Sequence, residues 1–138
     1  MTLEENKALV RRFVEEVQCQ HNLAALDELF SSDFVDHGGM TDPPNREGAK
    51  TFLGAFISAF PDSHFTIHQQ LAEGDRVMTF KTCHGTHHGS FHGMPATGKS
   101  VTFNIIDIFS VADGRITGHW LVTDLLGVMQ QLGSMAGP

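Results

Sequence analysis

His119, Trp120 and Asp124 stand close together near the C-terminus, in the run GRITGHWLVTDLLGVMQQLG from Gly114 to Gly133. An imidazole and a carboxylate can carry protons, and an indole offers a flat apolar surface. Together they suit holding a ring-containing organic molecule and moving a proton on it. The run reads as a strand that ends where a short helix begins. Asp124 sits among Leu121, Val122, Leu125 and Leu126. A carboxylate desolvated there serves acid–base work, or it caps the helix, or both. Trp120 stacks on a flat ligand, or it packs in the core or against another subunit. His37, beside a Gly/Pro-rich loop, either reaches a pocket mouth or lies on the surface.

The turn at Asp113-Gly114 decides which side chains meet His119. A two-residue loop sets Asp107 opposite Trp120. A three-residue loop, Ala112-Asp113-Gly114, sets Asp107 opposite His119 and places glycine where a bulge needs it. The second is the favoured expectation. It brings a carboxylate to an imidazole across two strands, which orients the ring and favours its protonated form. The pair could also serve only to satisfy two polar groups in an apolar sheet.

Cys83, His84, His87, His88 and His92 invite a metal reading. Their spacing matches no zinc pattern, with neither CxxC nor HExxH, and no metal is expected.

The positioning elements follow from periodicity. Thr2 and Glu5 form a capping box for a helix over 3–19. A second short helix is expected from Asn22 to Leu29 or Phe30, broken by Ser31-Ser32-Asp33 before a strand at 34–37. Asn45 caps a third helix that ends at Pro61. From Ser63 the apolar period becomes two, giving strands from Ser63, at 76–88, at 100–111 and at 115–123. A closing helix reaches Leu132. Helices followed by sequential strands predict an α+β domain over 1–138: a cone-shaped, curved antiparallel sheet on three N-terminal helices, with a central pocket and a short C-terminal helix.

Composition narrows the partners. Nine Lys+Arg against sixteen Asp+Glu give a formal charge of −7, which disfavours nucleic acid. Eleven Phe and no Tyr point to dry aromatic surface inside. No apolar run approaches a membrane span, and no secretory signal opens the chain, so a cytoplasmic setting is expected.

The segments LVRRFVEEV (9–17), LDELFSSDFVDH (26–37), REGAKTFLGAFISAFPD (46–62), GTHHGSFHGMPATGKSV (85–101), IDIFSVADGRITGHW (106–120) and DLLGVMQQLG (124–133) carry a resemblance. Nearly the whole chain resembles the SnoaL-like polyketide cyclases of the nuclear-transport-factor-2-like fold. The resemblance implies a homodimer or larger assembly through the sheet. It also implies intramolecular aldol closure of a polyketide ring with neither cofactor nor metal. It gives the acid–base role to Asp124, assisted by His119 and Asp107, with Asn104 as a hydrogen-bond donor. It leaves a second alignment open, in which the founding cyclases' catalytic aspartate falls at Leu121 and a histidine of theirs at Asp107.

Three functions compete. The first is an acid–base enzyme on a small apolar carbonyl compound, its pocket walled by Phe13, Phe52, Phe56, Phe103 and Trp120. The second is a non-catalytic binder of an apolar metabolite. The third is a structural module whose cavity is filled by side chains. The 38–45 loop and the 89–99 connection are the expected covers.

Overall fold

A computed structural model of the chain describes residues 1–133. The last five residues of the expected domain, 134–138, lie outside the described residues.

The Thr2 hydroxyl accepts the Glu5 N–H at 3.1 Å and the Glu5 carboxylate accepts the Thr2 N–H at 3.0 Å. This box opens α1 (Leu3–Phe13). The helix expected to run unbroken to Cys19 instead continues as a π-helical segment, Val14–Cys19. The wider winding keeps Val14 and Val17 buried while Gln18 reaches Lys81.

A 3-10 turn (Leu23–Ala25) leads into α2 (Leu26–Leu29), and Asn22 makes no side-chain cap. Strand β1 then spans Phe30–Asp36, starting earlier than expected. Both Phe30 and Phe34 are buried, with ring centroids 4.3 Å apart, and this contact overrides the turn-forming Ser31-Ser32-Asp33.

Helix α3 (Arg46–Ala59) is capped by Asn45, whose side chain accepts the Gly48 N–H at 2.9 Å. Four strands follow: β2 (His64–Glu73), β3 (Arg76–Thr86), β4 (Ser100–Ala112) and β5 (Arg115–Thr123). They and β1 form one curved sheet in the order β1-β5-β4-β3-β2. The pairs from β5 to β2 are antiparallel, and β1 joins the edge parallel to β5. Helix α4 (Leu125–Leu132) closes the fold against β4, where the Gln131 amide pairs with the Thr102 backbone at 2.8 and 2.9 Å.

The helices cover one face of the sheet. One apolar cluster joins α1, the π segment and α2 to Val77, Phe109 and Ile116. A second joins Phe56 and Phe60 to Cys83, Ile105, Val128 and Leu132. No helix among the described residues is long and apolar enough to cross a membrane.

The β4–β5 hairpin takes neither expected register. Ala112 opposes Arg115, so the loop has two residues, Asp113 (φ 51°) and Gly114 (φ 76°), both left-handed as a type I′ turn requires. The register then shifts between Val111↔Ile116 and Ser110↔Gly118, leaving Thr117 as an extra residue. Asp107 therefore lies opposite Leu121, not His119 or Trp120.

Candidate active site

The bulge at Thr117 decides which residues of β5 face the helices. His119, Leu121 and Thr123 point to the covered face with Asp107, while Trp120 and Val122 point away. On the covered face β1 places Asp36 level with His119. Asp107 on β4 lies diagonal to His119, and Lys81 on β3 lies diagonal to Asp107.

These side chains form a chain of alternating charge across four strands. His119 Nδ1 lies 3.4 Å from Asp36 Oδ1, and its Nε2 lies 3.5 Å from Asp107 Oδ2. Lys81 Nζ donates to Asp107 Oδ2 at 2.8 Å and to Gln18 Oε1 at 2.7 Å. The Lys81 and Asp107 side chains are 1% and 2% exposed. Lys81 is also ringed by Phe13, Phe65 and Phe109, at 5.4–5.8 Å from the ring centres. The Phe109 ring stacks on His119 at 4.6 Å and fixes its plane. The Gly38 N–H holds Asp36 Oδ1 at 2.8 Å. A Cβ at Gly38 would meet the far end of the Leu121 side chain, which would have to move aside for it.

Electrostatics follow from this order. Burial disfavours ionisation of Asp107, but the Lys81 ammonium and then His119 outweigh it and hold the carboxyl below its ordinary range. Asp36 is likewise lowered, with burial opposed by His119 and the Gly38 N–H. Burial works against a charged His119, yet contacts with Asp107 and then Asp36 hold its pKa above the ordinary imidazole value. One acceptor remains unused: Asp107 Oδ1 is buried and has no hydrogen-bond partner among the described residues.

This polar chain ends a cavity of about 120 Å³ whose other walls are mostly aromatic. Phe13, Phe52, Phe56 and Phe103 line it, together with Phe34, Phe91 and the partly exposed Leu125 of α4. Met40 and Thr41 of the 37–45 loop also reach it. The loop is folded back by the Asp36 N–H donating to Pro44 O at 3.0 Å.

Other expected site residues lie elsewhere. Asp124 is exposed and does not line the cavity; its Oδ1 accepts the Gly127 N–H at 2.8 Å and caps α4. Trp120 is on the outer face because of the bulge, stacked on the exposed His37 at 4.4 Å and under the Arg76 guanidinium at 4.5 Å. Asn104 is also exposed there, accepting from the Thr82 hydroxyl at 2.7 Å. Among the described residues no three His, Cys, Asp or Glu side chains converge as a metal-ligand set. His87 is buried against Phe60, and its Nδ1 accepts the Thr97 N–H at 3.2 Å.

Asp36, Lys81 and Gln18 are the site residues that sequence reasoning missed. A signal existed for Lys81: it shares its strand face with Val77, Thr79 and Cys83.

Comparison with known proteins agrees with this architecture. Residues 8–132 match the SnoaL-like polyketide cyclase family model. The chain is 30% identical over 132 residues to the aklanonic acid methyl ester cyclase DnrD of Streptomyces peucetius, covering 91% of this chain and 88% of that one. It is equally similar to DauD of Streptomyces sp. strain C5, an enzyme of the same name, covering 91% and 80%. The solved structure of TsrD from Streptomyces laurentii superposes with a TM-score of 0.88 at 25% identity, covering 98% of this chain and 99% of that one.

Proposed function

Because this chain belongs to the SnoaL-like polyketide cyclase family, we propose that it is an acid–base enzyme closing a ring in a small apolar carbonyl compound by an aldol-type reaction. The observation that carries this reading is His119 set between two carboxylates at the polar end of an aromatic cavity.

A carboxylate of the cluster accepts the proton that must leave to make an enolate. The enolate carbon then attacks a second carbonyl carbon of the same molecule, forming the new C–C bond. The oxygen of that carbonyl gains negative charge and takes a proton from the His119 imidazolium. Lys81 keeps Asp107 ionised and fixed, and Gln18 fixes Lys81. The Phe walls exclude water, which strengthens each of these interactions. The reaction draws only on these side chains. Asp124, as an exposed cap, has no part in it, and the acid–base role passes to Asp36, Asp107 and His119.

The outer face of the sheet supports the second half of the reading, a homodimer. Leu71, Met78, Ile106, Val122 and Val35 are all exposed there, around the half-buried Trp120.

The test is deuterium uptake from D2O at the carbon next to the carbonyl of acetophenone, followed by NMR. The protein should accelerate it, and His119→Gln should lower the rate by about 10²–10⁴ while the thermal transition stays cooperative. Ligand-induced stabilisation with no uptake would instead identify a pocket protein that binds and does not turn over.

A further inference from the structure

We infer that the cavity selects ligands with a single six-membered ring bearing an enolic or phenolic hydroxyl, and that this hydroxyl enters neutral and donates its hydrogen to Asp107 Oδ1. The inference rests on the cavity being the substrate site and adds which group of the substrate it reads.

Three observations carry it. Asp107 is an ionised carboxylate held by Lys81 and His119 through one oxygen, Oδ2. Its other oxygen is buried with no hydrogen-bond partner among the described residues. A carboxylate oxygen only accepts, and leaving it unmatched is costly, so the fitting ligand group is a donor. A plain ketone offers no donor. An enol or phenol does.

Lys81 supplies the second observation. An ammonium has three hydrogens, and two are taken by Asp107 and Gln18. Its remaining surroundings are the faces of three phenylalanines. Lys81 lines the cavity beside Asp107, so a ligand oxygen that donates to Asp107 Oδ1 can accept from Lys81 Nζ. A hydroxyl does both at once. A bare oxyanion would face the unmatched carboxylate oxygen and be repelled.

Size supplies the third. An apolar cavity of about 150 Å³ holds a benzene ring, and this one is about 120 Å³. A volume of this order admits one ring at most within these Phe walls, so the rest of a longer molecule, and part of a substituted ring, lies beyond them.

For catalysis the consequence is a specific proton. A substrate that reaches the site already as its enol needs no C–H deprotonation there: Asp107 Oδ1 takes the O–H proton as the enol carbon forms the new bond, and His119 returns a proton to the oxygen of the attacked carbonyl, whereas a ketone first loses its C–H proton to a carboxylate of the cluster. One proton is taken and one is given, so no oxidant or reductant is needed.

Binding alone tests the selection, without turnover. The probes are 4-nitrophenol and 4-nitrotoluene, which have nearly the same shape and differ in hydroxyl against methyl. Transfer from water favours the methyl compound, so a preference for the phenol is diagnostic. By calorimetry 4-nitrophenol should bind at least about tenfold more tightly. Bound, it should absorb as the neutral phenol at a pH where half the free probe is ionised. The double variant Lys81→Met/Asp107→Leu, which removes both charges together, should prefer 4-nitrotoluene.

Equal affinities, a bound probe absorbing as phenolate, no binding of either at millimolar concentration, or a persisting phenol preference in the double variant would each overturn the inference. Phenol selection without deuterium uptake would keep it while removing the acid–base reading. Uptake without phenol selection would do the reverse.

Discussion

The two faces of the sheet are built from neighbouring residues and have opposite characters. On the covered face, Asp36, His119, Asp107 and Lys81 form a charged chain inside the aromatic core. On the outer face, Val35, Met78, Ile106 and Val122 are exposed, the last of them to 76%. Charge is inside and apolar surface is outside, the reverse of the usual arrangement. Buried charge of this kind costs desolvation and is a weak source of stability, which fits the acid–base role proposed for it. Exposed apolar surface on a sheet points to a covering partner. The first half of this contrast is the proposal of an acid–base site. The second half is the proposal of a homodimer.

The contrast can be broken most severely from the inside. Lys81→Met leaves Asp107 buried without its cation and should cost about 3–5 kcal/mol in chemical denaturation. A loss below about 1 kcal/mol would mean that the pair is solvated. The outer face should respond in association instead. Trp120→Ala removes the ring between His37 and Arg76 and should weaken a dimer tenfold or more by analytical ultracentrifugation, with little change in deuterium uptake. A dilution-resistant dimer in that variant would place the interface elsewhere.

The smallest effect lies between the faces. Asp124→Ala should cost about 1 kcal/mol, the value of a helix cap, and leave acid–base activity unchanged. A collapse of activity would return Asp124 to the mechanism.

The pH dependence sharpens the same comparison. Asp36 and Asp107 have lowered folded pKa values, so their contribution to stability is complete above the unfolded carboxyl value of 3.8 and is lost as pH falls through the folded values. His119 has a raised folded pKa, so its contribution is complete below 6.5 and is lost as pH rises through the folded value. Denaturation midpoints should therefore peak between these two limits. In Lys81→Met the acid side of the peak should begin to fall at higher pH.

Much of this fold was legible because local rules and tertiary packing agree. The Thr2–Glu5 box, the Asn45 cap and the period-two strands occur at their expected places. Legibility failed where a single residue decides between two faces. Val35 and Phe34 are both apolar, so alternation could not say whether Asp36 or His37 turns inward. Trp120 and His119 presented the same choice, and the answer lay in a bulge that no residue type announces. Gln18 depends on a change of helical winding after Phe13, which the apolar spacing of 9–17 does not reveal.

Thr117 has a consequence for chain length. With the two-residue turn alone, His119 would fall on the outer face and Trp120 would enter the cavity. The extra residue inverts that parity for the rest of β5 as far as Thr123. The hairpin thus counts modulo two: one inserted or deleted residue between Gly114 and Gly118 either is absorbed by making or removing a bulge, or exchanges the inside of the protein for its outside. Two residues can be gained or lost there with the site kept facing inward.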